Sequence, residues 1–200
     1  DVYKRQELLT EITDSRSIIN GQHILNDGGD DIILQGFFWE SNKAASSWYN
    51  VMAQNVQKIK NAGVTMIWSP APWKDSTPNG MGYLWHSFDL NSTHGSEADM
   101  NNMINTMNAN GVKVIVDIVA NHSDSGHSNP AYPWDSQAWE KNNYEEWGYY
   151  KFENHDLNTA YVYHDIKNAM NHIKAKGVTG WRYDMVHGFP SGRVLGWNQD

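Results

Sequence analysis

Asn110-Gly111-Val112-Lys113-Val114-Ile115-Val116-Asp117-Ile118-Val119-Ala120-Asn121-His122 is the stretch from which the fold is read. Gly111 can take the left-handed conformation that ends a helix, and a run rich in β-branched residues follows at once. The run is apolar at nearly every position instead of alternating, as expected of a strand buried on both faces. It then passes without a spacer into Asn121 and His122, which puts polar side chains at the C-terminal end of the strand.

The same punctuation recurs at Ala62-Gly63-Val64 and Lys176-Gly177-Val178. The segments ahead of the three glycines have helical spacing. Met52, Val56 and Ile59 share one face. So do Met100, Met103, Ile104 and Met107, with Ser96 placed to cap that helix, and Val162, Ile166, Ala169, Met170 and Ile173 form a third apolar face. Residues 64–69, 112–119 and 178–183 read as the strands that follow, residues 32–38 as an earlier strand, and Pro190-Ser191 as the opening of a further helix. The order β-α-β-α-β-α-β defines an α/β chain with a parallel sheet and right-handed crossovers. Two architectures fit this pattern: about half of a β/α barrel, or a complete four-stranded open α/β domain.

Composition narrows the function. The 200 residues carry 15 Lys+Arg against 23 Asp+Glu, a formal charge of −8, which disfavours nucleic acid and anionic membranes as partners. Cysteine is absent, so disulfides, thiolate metal sites and Cys nucleophiles are excluded. No apolar run approaches the ~20 residues that span a bilayer. Ten Trp and ten Tyr are many for this length, and exposed aromatics can serve as flat platforms under sugar rings.

Polar clusters close two of the strands. Asp117, Asn121 and His122 end the third, and Gly180-Trp181-Arg182-Tyr183-Asp184-Met185-Val186-His187-Gly188 ends the fourth. Strand periodicity turns Arg182 and Asp184 to one face. Taken alone, Asn121-His122 reads equally well as a plain turn, and an Arg–Asp pair as a structural ion pair. Two such clusters on neighbouring strand ends favour an active site. A long connection, residues 121–159, rich in Asn, Trp and Tyr, leaves from the same end of the sheet.

On these residues the chain resembles the α-amylase family of glycoside hydrolases, calcium-dependent (β/α)8 TIM barrel enzymes. Asp117, Asn121 and His122 match its first signature, and Gly180, Arg182 and Asp184 its second. Asp156-Leu157-Asn158 stands where the family carries a short Asp-Leu segment. Leu34-Gln35-Gly36-Phe37-Phe38-Trp39-Glu40 and Gly82-Tyr83 are similar to the plant and maltooligosaccharide-forming members.

The resemblance implies a retaining hydrolase of α-1,4-glucosidic bonds in starch-like glucans. Asp184 is then the nucleophile, Arg182 the group that keeps it ionised, and Asp117 the anchor of that Arg. Tyr83 stacks beneath the sugar in the reacting subsite, His122 hydrogen-bonds it, and His187 stands on the leaving-group side. The family carries Lys or Arg at the position of His187, so a group that titrates near neutrality replaces a fixed charge. The implied calcium site takes the Asn121 side chain, Asp156 and the backbone carbonyl of Gly188. Calcium needs six to eight oxygens, so further ligands are required, and Glu145, Glu146 and Glu153 lie in the same loop.

The implied organisation is an N-terminal segment of unassigned structure (1–29), barrel units one to three (30–121), a calcium-binding loop subdomain (122–159), and helix three, strand four and the start of helix four (160–200). A retaining glycosidase needs a second carboxyl as acid and base. In the family it ends strand five, with a further Asp after strand seven, so both are expected beyond residue 200. The chain alone is therefore expected to be an inactive portion of a secreted enzyme that is monomeric when complete. The alternatives are a related α-1,6-glucosidase or transglycosylase, and a non-catalytic glycan-binding protein.

Overall fold

The computed structural model describes residues 31–124, 152–154, 160–189 and 191–198. In chain order its regular elements are β1 (Ile33–Gln35), α1 (Trp48–Gln54), α2 (Val56–Asn61), β2 (Met66–Ser69), β3 (Lys74–Asp75), β4 (Trp85–Ser87) and α3 (Glu97–Ala109). There follow β5 (Lys113–Ile118), β6 (His122–Asp124), β7 (Phe152–Asn154), α4 (Ala160–Lys174), β8 (Gly180–Tyr183) and α5 (Ser191–Asn198). Strands β1-β2-β5-β8 form one sheet in that order, every neighbouring pair parallel, with Ile33 beside Met66, Ile67 beside Val114 and Asp117 beside Arg182. Helices cross between successive strands, the arrangement that the alternating sequence pattern requires.

Apolar spacing accounts for the packing. Ile67, Val114, Val116 and Ile118 of the sheet are fully buried against Met100, Met103, Ile104 and Met107 of α3. Val162, Ile166, Ala169, Met170 and Ile173 of α4 join the same core. The start of α3 is fixed by a reciprocal cap. The Ser96 hydroxyl accepts from the Asp99 amide at 3.1 Å, while the Asp99 carboxylate accepts from the Ser96 amide at 3.0 Å. Gly63, Gly111 and Gly177 have φ of 78°, 75° and 97°, the left-handed turn out of each helix that glycine accommodates without strain.

The structure corrects the sequence reading in three places. The first helix is broken at Asn55. Its side-chain amide donates to the Val51 carbonyl at 2.8 Å and its backbone N–H turns to Met52, so the acceptor of one helical turn is taken by a side chain. Strand β8 is half-buried along its length instead of enclosed, because among the described residues it pairs on one side only. The hairpin β3–β4, inserted between β2 and α3, was not read from the sequence; its strands are too short for a periodic signal. Residues 1–29 and most of the expected loop subdomain lie outside the described residues, apart from the antiparallel pair β6–β7.

Candidate active site

The C-terminal ends of β2, β5 and β8 bring Trp68, Asp117 and Arg182 together. Asp117 and Arg182 are register partners, so the parallel pairing itself sets their side chains abreast. Arg182 Nη1 donates to Asp117 Oδ1 at 3.1 Å and Oδ2 at 3.2 Å, and to Asp184 Oδ1 at 2.7 Å. The guanidinium lies over the Trp68 ring, 4.8 Å from its centroid, and Trp68 Nε1 donates to Asp117 Oδ2 at 3.2 Å. Tyr83 Oη donates to the same oxygen at 3.0 Å. Asp117 is thus a buried acceptor encircled by donors, and Arg182 links it to the more accessible Asp184.

Burial pushes the Asp117 carboxyl up to about 6, against the opposing pull of Arg182 and of the Tyr83 hydroxyl. Burial and the adjacent Asp117 charge raise the Tyr83 phenol well above its ordinary value, so it stays a hydrogen-bond donor. Burial lowers the pKa of His122 and so favours the neutral imidazole, opposed by the charge of Asp184 and by a backbone contact with Tyr83. Asn121 Nδ2 lies 3.3 Å from His122 Nδ1.

Beyond Asp184 the chain turns sharply. Met185 has φ 50° and ψ 40°, a left-handed conformation uncommon for a side chain of this kind, and a short 3-10 turn follows (Val186–Gly188). A β-carbon on Gly188 would fall 1.9 Å from Asn121 Oδ1, so only glycine lets this backbone come against the Asn121 amide. On the other flank, the Trp39 and Tyr83 rings are stacked, 6.1 Å apart and 12° from parallel. Trp39 is 73% exposed and, with Asn42, Lys43, Asn79, Met81 and Tyr83, lines a cleft of about 370 Å³.

The sequence-predicted residues Asp184, Arg182, Asp117, Tyr83, His122 and Asn121 therefore gather at one end of the sheet, with Gly188 beside Asn121. Asp156 and the side chain of His187 lie outside the described residues, as do Glu145 and Glu146. Sequence reasoning did not find Trp68. It sits at an ordinary apolar strand position, and nothing in its spacing reports the indole N–H bond to Asp117. The stacking of Trp39 on Tyr83 was likewise unread, because the two residues belong to different loops.

Comparison with known proteins identifies the family. The family model described as alpha amylase, catalytic domain, matches residues 33–154. A glucan 1,4-alpha-maltotetraohydrolase from Stutzerimonas stutzeri is 32% identical over 196 residues, covering 86% of this chain and 36% of that protein. Alpha-amylase 3, chloroplastic, from Arabidopsis thaliana is 28% identical, covering 83% of this chain and 21% of that protein. Among solved structures, alpha-amylase I from Eisenia fetida superposes with a TM-score of 0.69 at 20% identity, over 84% of this chain and 40% of that one. The chain spans about a third or less of the curated relatives it matches, and its parallel sheet with alternating helices is part of a (β/α)8 barrel. With 33–154 matched, the chain belongs to the alpha-amylase catalytic-domain family.

Proposed function

We propose that the protein containing this chain hydrolyses α-1,4-glucosidic bonds in starch-like glucans with retention of configuration. The observation that carries this reading is the Arg182–Asp184 contact at 2.7 Å, with Arg182 anchored in turn by buried Asp117. The Asp184 carboxylate attacks the anomeric carbon, forming a glycosyl ester as the bond to the leaving oxygen breaks. Arg182, held at 2.7 Å, fixes the direction of its oxygens. Proton delivery to the leaving oxygen is assigned to a carboxyl beyond Asp200. Tyr83 offers a ring for stacking beneath the reacting sugar, His122 a hydrogen bond to it, and His187 a contact on the leaving-group side.

Calcium fits the donors at hand. Among the described residues no three His, Asp or Glu side chains cluster as a metal site. The proposed ligands are oxygens of another kind: the Asn121 amide, against which the Gly188 backbone closes, and the Gly188 carbonyl, joined by Asp156 and by the further oxygens that calcium's six to eight ligands require. Bound there, the ion supplies a structural tie between the sheet and the long connection after β5. We further propose that the protein acts as a secreted monomer on glucan polymers or oligosaccharides.

The decisive experiment is Asp184→Asn in the complete protein, assayed on soluble starch and maltooligosaccharides. The expected result is loss of turnover with maltooligosaccharide binding retained. Turnover that survives the substitution overturns the nucleophile assignment.

A further inference from the structure

The loop between β3 and β4 carries Tyr83 into the site, and one buried carboxylate holds it. Asp75 accepts four hydrogen bonds from that loop. Its Oδ1 takes the Thr77 amide at 3.0 Å and the Thr77 hydroxyl at 3.2 Å. Its Oδ2 takes the Gly82 amide at 2.9 Å and the Leu84 amide at 3.2 Å. The last two flank Tyr83, so the backbone on both sides of the ring is tied to one oxygen. The loop closes tightly over this group: a β-carbon on Gly80 would lie 1.9 Å from the Asp75 carboxyl. Loop carbonyls are held from outside. Thr93 Oγ1 donates to Gly80 O at 2.5 Å, and His94 Nε2 lies 3.3 Å from Met81 O.

We infer that Asp75 is a positioning residue for the glycosidic site, acting through Tyr83. It sets the height and tilt of the Tyr83 ring by fixing the amides of Gly82 and Leu84. The ring is constrained at its other end by the hydroxyl bond to Asp117, the group that also holds Arg182. A displaced Tyr83 therefore shifts the surface offered to the sugar and removes a donor from Asp117 together. In Asp75→Asn an NH2 donor replaces one oxygen of almost equal size. Directed at the Gly82 and Leu84 amides, it sets donor against donor; the loop is repelled where it was held.

The inference rests on the hydrolase reading above, and the two are separated by measuring Asp184→Asn first. If that variant keeps its turnover, the hydrolase reading fails, whatever Asp75 does. With that reading standing, a double-mutant cycle in the complete enzyme tests Asp75. Asp75→Asn is expected to lower kcat/KM on maltopentaose about tenfold to a hundredfold when Tyr83 is present. In a Tyr83→Ala background the same substitution is expected to change it by less than about twofold, because the ring it positions is gone. Equal fold-losses in the two backgrounds overturn the inference, since a purely structural role ignores Tyr83. If Asp75→Asn does not fold, the cycle is run with Gly80→Ala, whose methyl presses on the carboxylate. Failure of both variants to fold assigns Asp75 to overall stability and also overturns it.

Discussion

Asp117 and Arg182 stand abreast on adjacent parallel strands, and one nitrogen of the guanidinium, Nη1, reaches both carboxylate oxygens of Asp117. The same nitrogen is 2.7 Å from Asp184. An acid withdrawn from solvent thus fixes the same guanidinium tip that attends a second, more exposed acid. The position of Arg182, and through it the contact to Asp184, is set by the sheet register.

Replacing the guanidinium by an ammonium tests this directly. Lysine provides a single charged centre on a flexible stem and cannot reproduce a planar fork stacked on Trp68. Arg182→Lys in the complete enzyme should lower kcat at least about a hundredfold with a much smaller change in KM. Steady-state kinetics on maltooligosaccharides read the outcome, and an unchanged kcat removes the positioning role.

The pH dependence of stability reports on Asp117. Its carboxyl is lifted to about 6 in the folded protein by burial, so the folded state binds that proton more tightly than the unfolded chain. Its favourable contribution is complete below about pH 4, where an unfolded Asp titrates, and is lost as pH rises through about 6. Across that window the wild-type protein should lose stability relative to Asp117→Asn by up to about 1.4 kcal/mol per pH unit. Denaturant midpoints at pH 4, 5, 6 and 7 give the curve; parallel profiles for the two proteins would show Asp117 ionised throughout.

If calcium binds as proposed, its removal should destabilise the protein, and Gly188 should govern by how much. A ligand at a hundredfold excess over its Kd contributes about 2.7 kcal/mol, so chelation is expected to lower the melting temperature by several degrees. Gly188→Ala drives a methyl group into Asn121 Oδ1 and should abolish most of the difference between calcium-loaded and chelated samples. Scanning calorimetry with and without chelator decides it, and a chelator-insensitive wild type counts against Asn121 and Gly188 as ligands.

The capping box of α3 offers a control remote from the chemistry. Ser96→Ala leaves the Asp99 amide without its side-chain acceptor and should cost about 1 kcal/mol of stability. Turnover at temperatures below the transition should be unaltered. A loss of activity without loss of stability would mean that α3 communicates with the site by a route other than packing.

Much of the architecture was legible because its signals are local. Three left-handed glycines, Gly63, Gly111 and Gly177, stand between a helix and a strand, and the Met and Ile faces of α3 and α4 repeat at helical spacing. Ser96 is recognisable as a capping residue just ahead of the α3 apolar face. Within the site, Asp117, Arg182 and Asp184 could be found because motif spacing and strand parity place them at strand ends. The contributions of Trp68 and Asp75 were not visible. Trp68 is one more apolar strand residue until the indole N–H is seen against Asp117. The four bonds of Asp75 depend on the backbone path of a loop that has no period. The break at Asn55 was missed for a related reason: the apolar face continues across it, and only the amide of Asn55 competes for the carbonyl of Val51.

The bonds around Asp117 also bear on how the protein assembles. They join positions 34, 49 and 65 residues apart in sequence, to Tyr83, Trp68 and Arg182 respectively. No hairpin or single helix formed early in folding contains any of them, and each requires a closed loop before it yields any stabilisation. The site is therefore expected to form only once strands β2, β5 and β8 have come together. During refolding of the complete protein, recovered catalysis should lag behind recovered helix signal, making turnover a marker of completed strand order.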